Sequence, residues 1–131
     1  MTYEEIRSLI TARMVAFTGL AQASIDYPNQ PAIFVPPATG LWCRLNIQFG
    51  TAFQAGMADR PYTRKPGQVS IQCFARMQTG TKALNVLADQ LEAHFAYWAS
   101  GQLEFSAASM VDAGEFDGFR QFNVNIRFNA G

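Results

Sequence analysis

The chain has one histidine and two cysteines among 131 residues, and only 15% of it is charged. These shortages exclude a good deal. His94, Cys43 and Cys73 lie far apart and do not make the ligand set of a zinc site. A Cys–His hydrolase would have to combine His94 with Cys43 or Cys73. By strand phase, though, both cysteines fall among core residues, where a thiolate is disfavoured. No Gly-x-Ser-x-Gly, phosphate loop or dinucleotide fingerprint occurs. The neighbouring carboxylates Asp112 and Glu115 fall in a turn. The expectation is a protein that is not an enzyme and uses no metal or cofactor.

Charge of one sign is also lacking. Ten basic and ten acidic residues cancel, so no general basic field invites nucleic acid. No apolar run reaches the roughly 18 residues of a membrane span. The opening MTYEEIRSL is acidic where a signal peptide is basic. These features predict a cytosolic or virion-borne chain with no membrane partner.

What is present is apolar. Hydrophobic residues make up 49% of the chain, enough for one domain with a core, spanning residues 1–131. Thr2 and Glu5 form a T-x-x-E capping box. Ile6, Leu9, Ile10, Met14 and Phe17 then recur at helical spacing, predicting a helix from Tyr3 to Thr18 ended by Gly19. Leu84, Leu87, Ala88, Leu91, Phe95 and Trp98 predict a second, from Thr81 to Ala99, with a hydroxyl cap from Thr79-Gly80-Thr81. Alternation predicts strands over Leu41–Phe49, Val69–Met77, Leu103–Val111 and Phe122–Phe128. Gly50 to Gly67 reads as a loop, and Ala113 to Gly118 as a turn. The expected fold is therefore α+β: a two-layer domain with a mainly antiparallel four-stranded sheet, two helices on one face, and element order α-β-β-α-β-β. Cys43 and Cys73 are either reduced core thiols or, if their strands pair, a disulfide.

Each strand has a second face that should be wet. It would carry Trp42, Arg44, Asn46, Gln48, Gln72, Phe74, Arg76, Asn123, Asn125 and Arg127. Amides and aromatics with almost no Lys or Glu suit either an interface or a merely polar sheet face. Base stacking on Trp42 and Phe74 is conceivable, but the RNP string is missing and the element order differs. Arg60, Arg64 and Lys65 lie in one loop, and Asp112, Glu115 and Asp117 in another. The two loops are either solvated or meet head to tail between copies.

Residues 20–40 form an extended, proline-rich segment, with IDYPNQPAIFVPP at its centre. Its prolines keep it out of a central strand and pre-set its backbone. Its apolar residues, Phe34 and Val35 among them, cover either this chain's own core or a neighbouring copy.

Several stretches together resemble the tail terminator proteins of long-tailed, lambda-like phages and prophages. They are the arm IDYPNQPAIFVPP, the strand LWCRLNIQFG, the strand-turn-helix GQVSIQCFARMQTGTKALNVLADQLEAHF and the closing GFRQFNVNIRF. The resemblance covers roughly residues 3–128, and none of its motifs is catalytic. It implies an α+β subunit of a hexameric ring on the last ring of tail tube protein. Such a ring stops tail growth, offers a joining surface to a head-completion protein, and lets DNA pass without sequence-specific binding. It implies no cofactor, and a location in the virion tail, or in host cytoplasm during assembly. The reading from another class is a small-ligand-binding or enzymatic α+β domain.

Overall fold

The computed structural model describes residues 1–55 and 62–131. Helix α1 is Tyr3–Val15. Its capping box is formed: Glu5 N donates to Thr2 Oγ1 at 3.1 Å, and Thr2 N donates to the Glu5 carboxylate at 3.3 Å. The helix stops at Val15, before the expected Thr18. The Gln22 side-chain amide, from a single 3-10 turn at Gln22–Ser24, donates to the Val15 carbonyl at 3.1 Å. That bond satisfies an acceptor which a longer helix would have used itself. Helix α2 is Lys82–Phe95. Thr81 makes no capping bond, and the Thr79 hydroxyl donates instead to the Arg76 carbonyl. Tyr97, at φ +60°, turns the chain away, so Trp98 lies past the helix end.

The expected four-stranded, mainly antiparallel sheet in α-β-β-α-β-β order is overturned. The sheet has seven strands, is mixed, and curls into a half-barrel. The strands are β1 (Ile25–Asp26), β2 (Trp42–Phe49), β3 (Phe53–Ala55), β4 (Tyr62–Arg76), β5 (Ala99–Ser100), β6 (Leu103–Phe116) and β7 (Phe119–Ala130). Their order is β1-β2-β4-β7-β6-β5, with β3 on β4. The β1–β2 pair is parallel and every other pair is antiparallel.

The corrections have local causes. β1 and β5 are too short to show a period. β4 begins at Tyr62, inside the expected loop, despite Pro66. The Pro66 carbonyl accepts from Gly50 N at 2.8 Å, so Pro66 faces the side of β2 at the point where β2 ends. Its missing N–H therefore costs no ladder bond. β6 continues through the expected turn to Phe116. Only Asp117 (φ +48°) and Gly118 (φ +81°) make the reversal, a two-residue turn of the primed type that matches strand twist.

Both helices pack on one face of the sheet. Ile6, Ile10 and Met14 of α1 and Leu84, Leu87, Leu91 and Phe95 of α2 meet Leu45, Ile71, Val124, Ile126 and Phe128 in the main core. Cys43 and Cys73 stand directly opposite one another in the β2–β4 ladder, facing that core as free thiols. Burial raises both thiol pKa values, that of Cys43 to about 12.

The helices are also clasped at their C-terminal ends. Arg13 donates twice to the His94 carbonyl, at 3.0 and 2.6 Å, and the His94 ring nitrogen Nε2 lies 2.6 Å from the Arg13 carbonyl. Burial lowers the His94 pKa from 6.5, with the hydrogen bond to Arg13 opposing it. The imidazole is thus held neutral in the fold and protonates more readily in the unfolded chain. Its contribution is complete above pH 6.5 and is lost as pH falls through the lower folded value. We expect the melting temperature to drop between pH 7.5 and 5.5, and to drop less in His94→Gln. Equal slopes for the two proteins would remove histidine from the account.

Candidate interface face and arm

The sheet face away from the helices is built as cross-strand rows. Asn46, Ser70, Asn125 and Ser109 stand side by side across β2, β4, β7 and β6. The next row is Arg44, Gln72, Asn123 and Val111, and the row beyond Asn46 is Gln48, Gln68 and Arg127. The structure therefore brings the expected amide-rich residues together on one surface. Gln121 Nε2 donates to Asn123 Oδ1 at 2.8 Å along its edge.

The arginines of this face differ in their partners. Arg44 donates to Asp26 at 3.0 Å, and Asp26 also accepts from Gln30. Arg76 donates to the Pro37 carbonyl at 2.6 Å and lies over the Phe119 ring. Arg127 is exposed and has no partner among the described residues.

Trp42 and Phe74 are not on the wet face at all. Trp42 is 2% exposed, and its ring stacks on Phe74 with centroids 4.1 Å apart and planes 15° apart. Phe119 meets Trp42 edge-on at 5.4 Å, and Phe34 covers it from the arm at 5.3 Å. This is a second small core on the side away from the helices. Offset and edge-to-face aromatic pairs add to simple burial. The Trp42 indole Nε1 is buried without a hydrogen-bond partner in this group.

The arm therefore divides its residues. Tyr27 packs on the main core, and Phe34 on the second one. Ile33 and Val35, its neighbours in sequence, point away at 94% and 76% exposure. This in–out alternation is that of an extended strand.

The two charged loops do not meet within the chain. Lys65 pairs in register with Ala130 and Asp112 with Phe122, so they sit at opposite ends of β7, roughly 27 Å apart at strand rise. Lys65 donates to the Met1 carbonyl at 2.6 Å and Arg64 is exposed, while Arg60 lies outside the described residues. Asp112 pairs with Arg120 and accepts from Gly114 N, contacts that lower its pKa, with the Gly114 bond the largest cause. Glu115 and Asp117 are exposed and have no basic partner among the described residues.

Sequence reasoning missed Phe119 as the edge-on member of the aromatic group. It also missed the outer edge of β6. Past Ser106, no strand pairs with that edge among the described residues. Met110, Val111 and Phe116 are all substantially exposed there.

No helix among the described residues is long and apolar enough to cross a membrane, and no cluster of metal-ligating side chains occurs among them. No family model matches the chain, and no curated protein does. Among solved structures, one of a protein that carries no functional name is similar over all of this chain and 96% of its own. Its TM-score is 0.74, at 16% sequence identity. A likeness at that identity means a shared fold and carries no activity across.

Proposed function

We propose that this chain is a structural protein of a phage or prophage tail. It forms a ring on the end of the tail tube, ends tail polymerisation and offers a surface to which the head joins. The carrying observation is the sheet face away from the helices. Rows of Asn, Gln and Ser cross four strands there, with few charges. A surface that is bare before assembly and covered afterwards must suit both states. Amides hydrogen-bond to water or to a partner, and covering them costs less than desolvating ions.

The sequence resemblance to lambda-like tail terminators supplies the rest of the reading. The ring would be a hexamer, its partners the tail tube protein and a head-completion protein, and its opening a passage for DNA. Neutral overall charge suits a wall that DNA slides past without being held.

The test is tube growth in vitro. Tail tube protein polymerised with this chain should give shorter tubes with added density at one end in electron micrographs. Tube lengths unchanged at a molar excess of the chain, with no chain co-sedimenting, would sink the reading.

A further inference from the structure

We infer that the arm of one copy adds as a strand to the outer edge of β6 in a neighbouring copy. The inference rests on the ring reading above and names the contact that would build the ring.

Two unsatisfied backbones face outward from this fold. The first is the arm. Ala32–Val35 lies between Pro31 and Pro36, keeps its N–H groups, and makes no backbone hydrogen bond among the described residues. The second is β6. Its register slips between Phe105 and Ala108 and again between Asp112 and Gly114, leaving residues 108–112 as a regular run with a free outer edge. An exposed, regular, apolar edge is a template for another strand. The four-residue arm segment fits its length.

The geometry makes the contact head to tail. The arm leaves β1, passes Asn46 and Ile47 at Pro28, and returns along β2 to cover Trp42 with Phe34. It thus lies at the β1–β2 side of the sheet, while β6 lies at the far side. Opposite edges meet only between different copies, and such contacts close into rings or extend as filaments.

The direction follows as well. The arm runs opposite to β2. Successive antiparallel pairs from β2 through β4 and β7 make β6 run opposite to β2 too. The arm and β6 therefore point the same way. Rotation about a ring axis along the strands preserves direction, so the added strand is parallel. In that pairing Ile33 and Val35 come beside Ser109 and Val111. Charge agrees: Glu115 and Asp117 flank the upper end of the β6 edge, and Arg76, with no carboxylate partner, sits at the upper end of the arm.

Mixed cysteine cross-linking tests the contact. One batch carries Val35→Cys and another carries Val111→Cys, while Cys43 and Cys73 stay buried. Under mild oxidation the mixture should give a heterodimer about tenfold above the homodimer of either batch alone. Replacing the Val35→Cys batch with Ile33→Cys should slow the cross-link. A Val111→Cys homodimer would mean that two β6 edges pair about a two-fold axis, and would overturn the proposal. A faster Ile33 cross-link would mean antiparallel pairing and would overturn it too.

The double variant Ile33→Lys/Val35→Lys gives an independent reading. Its melting temperature should match the parent, because both side chains are exposed. Its self-association by sedimentation should weaken about tenfold or more. Undiminished ring formation on tubes by that variant would remove the arm contact and leave the ring reading standing. A chain that stays monomeric at every concentration and on tubes removes both.

Discussion

Trp42→Ala is expected to cost about 3–5 kcal/mol of unfolding free energy, the range for removing a large aromatic from a packed site. On sequence pattern alone the effect should be small, because Trp42 alternates with Arg44, Asn46 and Gln48 on the face away from the helices. The structure gives the opposite expectation. Trp42 is the centre of the second core: it touches Phe34, Phe74 and Phe119, and the Arg44 guanidinium lies 5.5 Å from its ring centroid. Removing the indole takes away the floor under the arm and the partner of Phe74 together. Trp42→Phe should be much milder, at about 1–2 kcal/mol. It keeps a stacked ring and eliminates a buried N–H that has no acceptor. Urea midpoints at constant m-value measure both changes. If Trp42→Ala unfolds within about 1 kcal/mol of the parent, the aromatic group is no core.

The same residue shows why parts of the fold were legible and parts were not. Strand phase correctly divided β2 into two faces, because alternation depends only on neighbours along the chain. What covers each face depends on the rest of the molecule. Phe34 reaches Trp42 across a proline-rich turn, and Phe119 reaches it from a strand β2 does not touch. No local period reports such meetings. The amide rows were visible as a composition, but their alignment needed the register of four strands.

Other failures have equally specific causes. In β6 the expected phase placed Ala107, Ser109 and Val111 with Leu103 and Phe105. The bulge after Phe105 instead carries Ala108 and Met110 onto the core side, opposite Ile126 and Val124. One inserted residue reverses the faces of everything beyond it, and nothing in the residue types announces it. Asp117-Gly118 was a readable signal. An Asp-Gly pair between Phe116 and Phe119 specifies a two-residue reversal, and reading it so would have extended both flanking strands to their observed ends. The helices were the most legible elements because their stripes are long and the T-x-x-E box is local. Their ends moved where Gln22 and Tyr97 intervene.

Gly67 offers the other large effect, and it tests the part of β4 that pattern reading took for a loop. Gly67 stands in register with Phe49 of β2 on one side and Phe128 of β7 on the other. A β-carbon there would come 2.5 Å from the Gln48 carbonyl oxygen and within contact-forbidding range of the Phe128 ring. The ring has little freedom to withdraw, since Phe49 and Phe105 both pack against it. The carbonyl belongs to the β2–β4 ladder and moves only if the ladder opens. Gly67→Ala is therefore expected to cost about 3 kcal/mol, at the upper end for overpacking. Most of that is a backbone collision, so Gly67→Ala/Phe128→Leu should recover less than half of the loss. Gly50, whose β-carbon would come no closer than 3.4 Å to any neighbour, is the matched control. Gly50→Ala should lie within about 0.5 kcal/mol of the parent. If Gly67→Ala and Gly50→Ala unfold at the same urea concentration, β2 and β4 do not approach each other as closely as this register requires. If the Phe128→Leu double variant is fully restored, the ring, and not the strand backbone, sets the need for glycine.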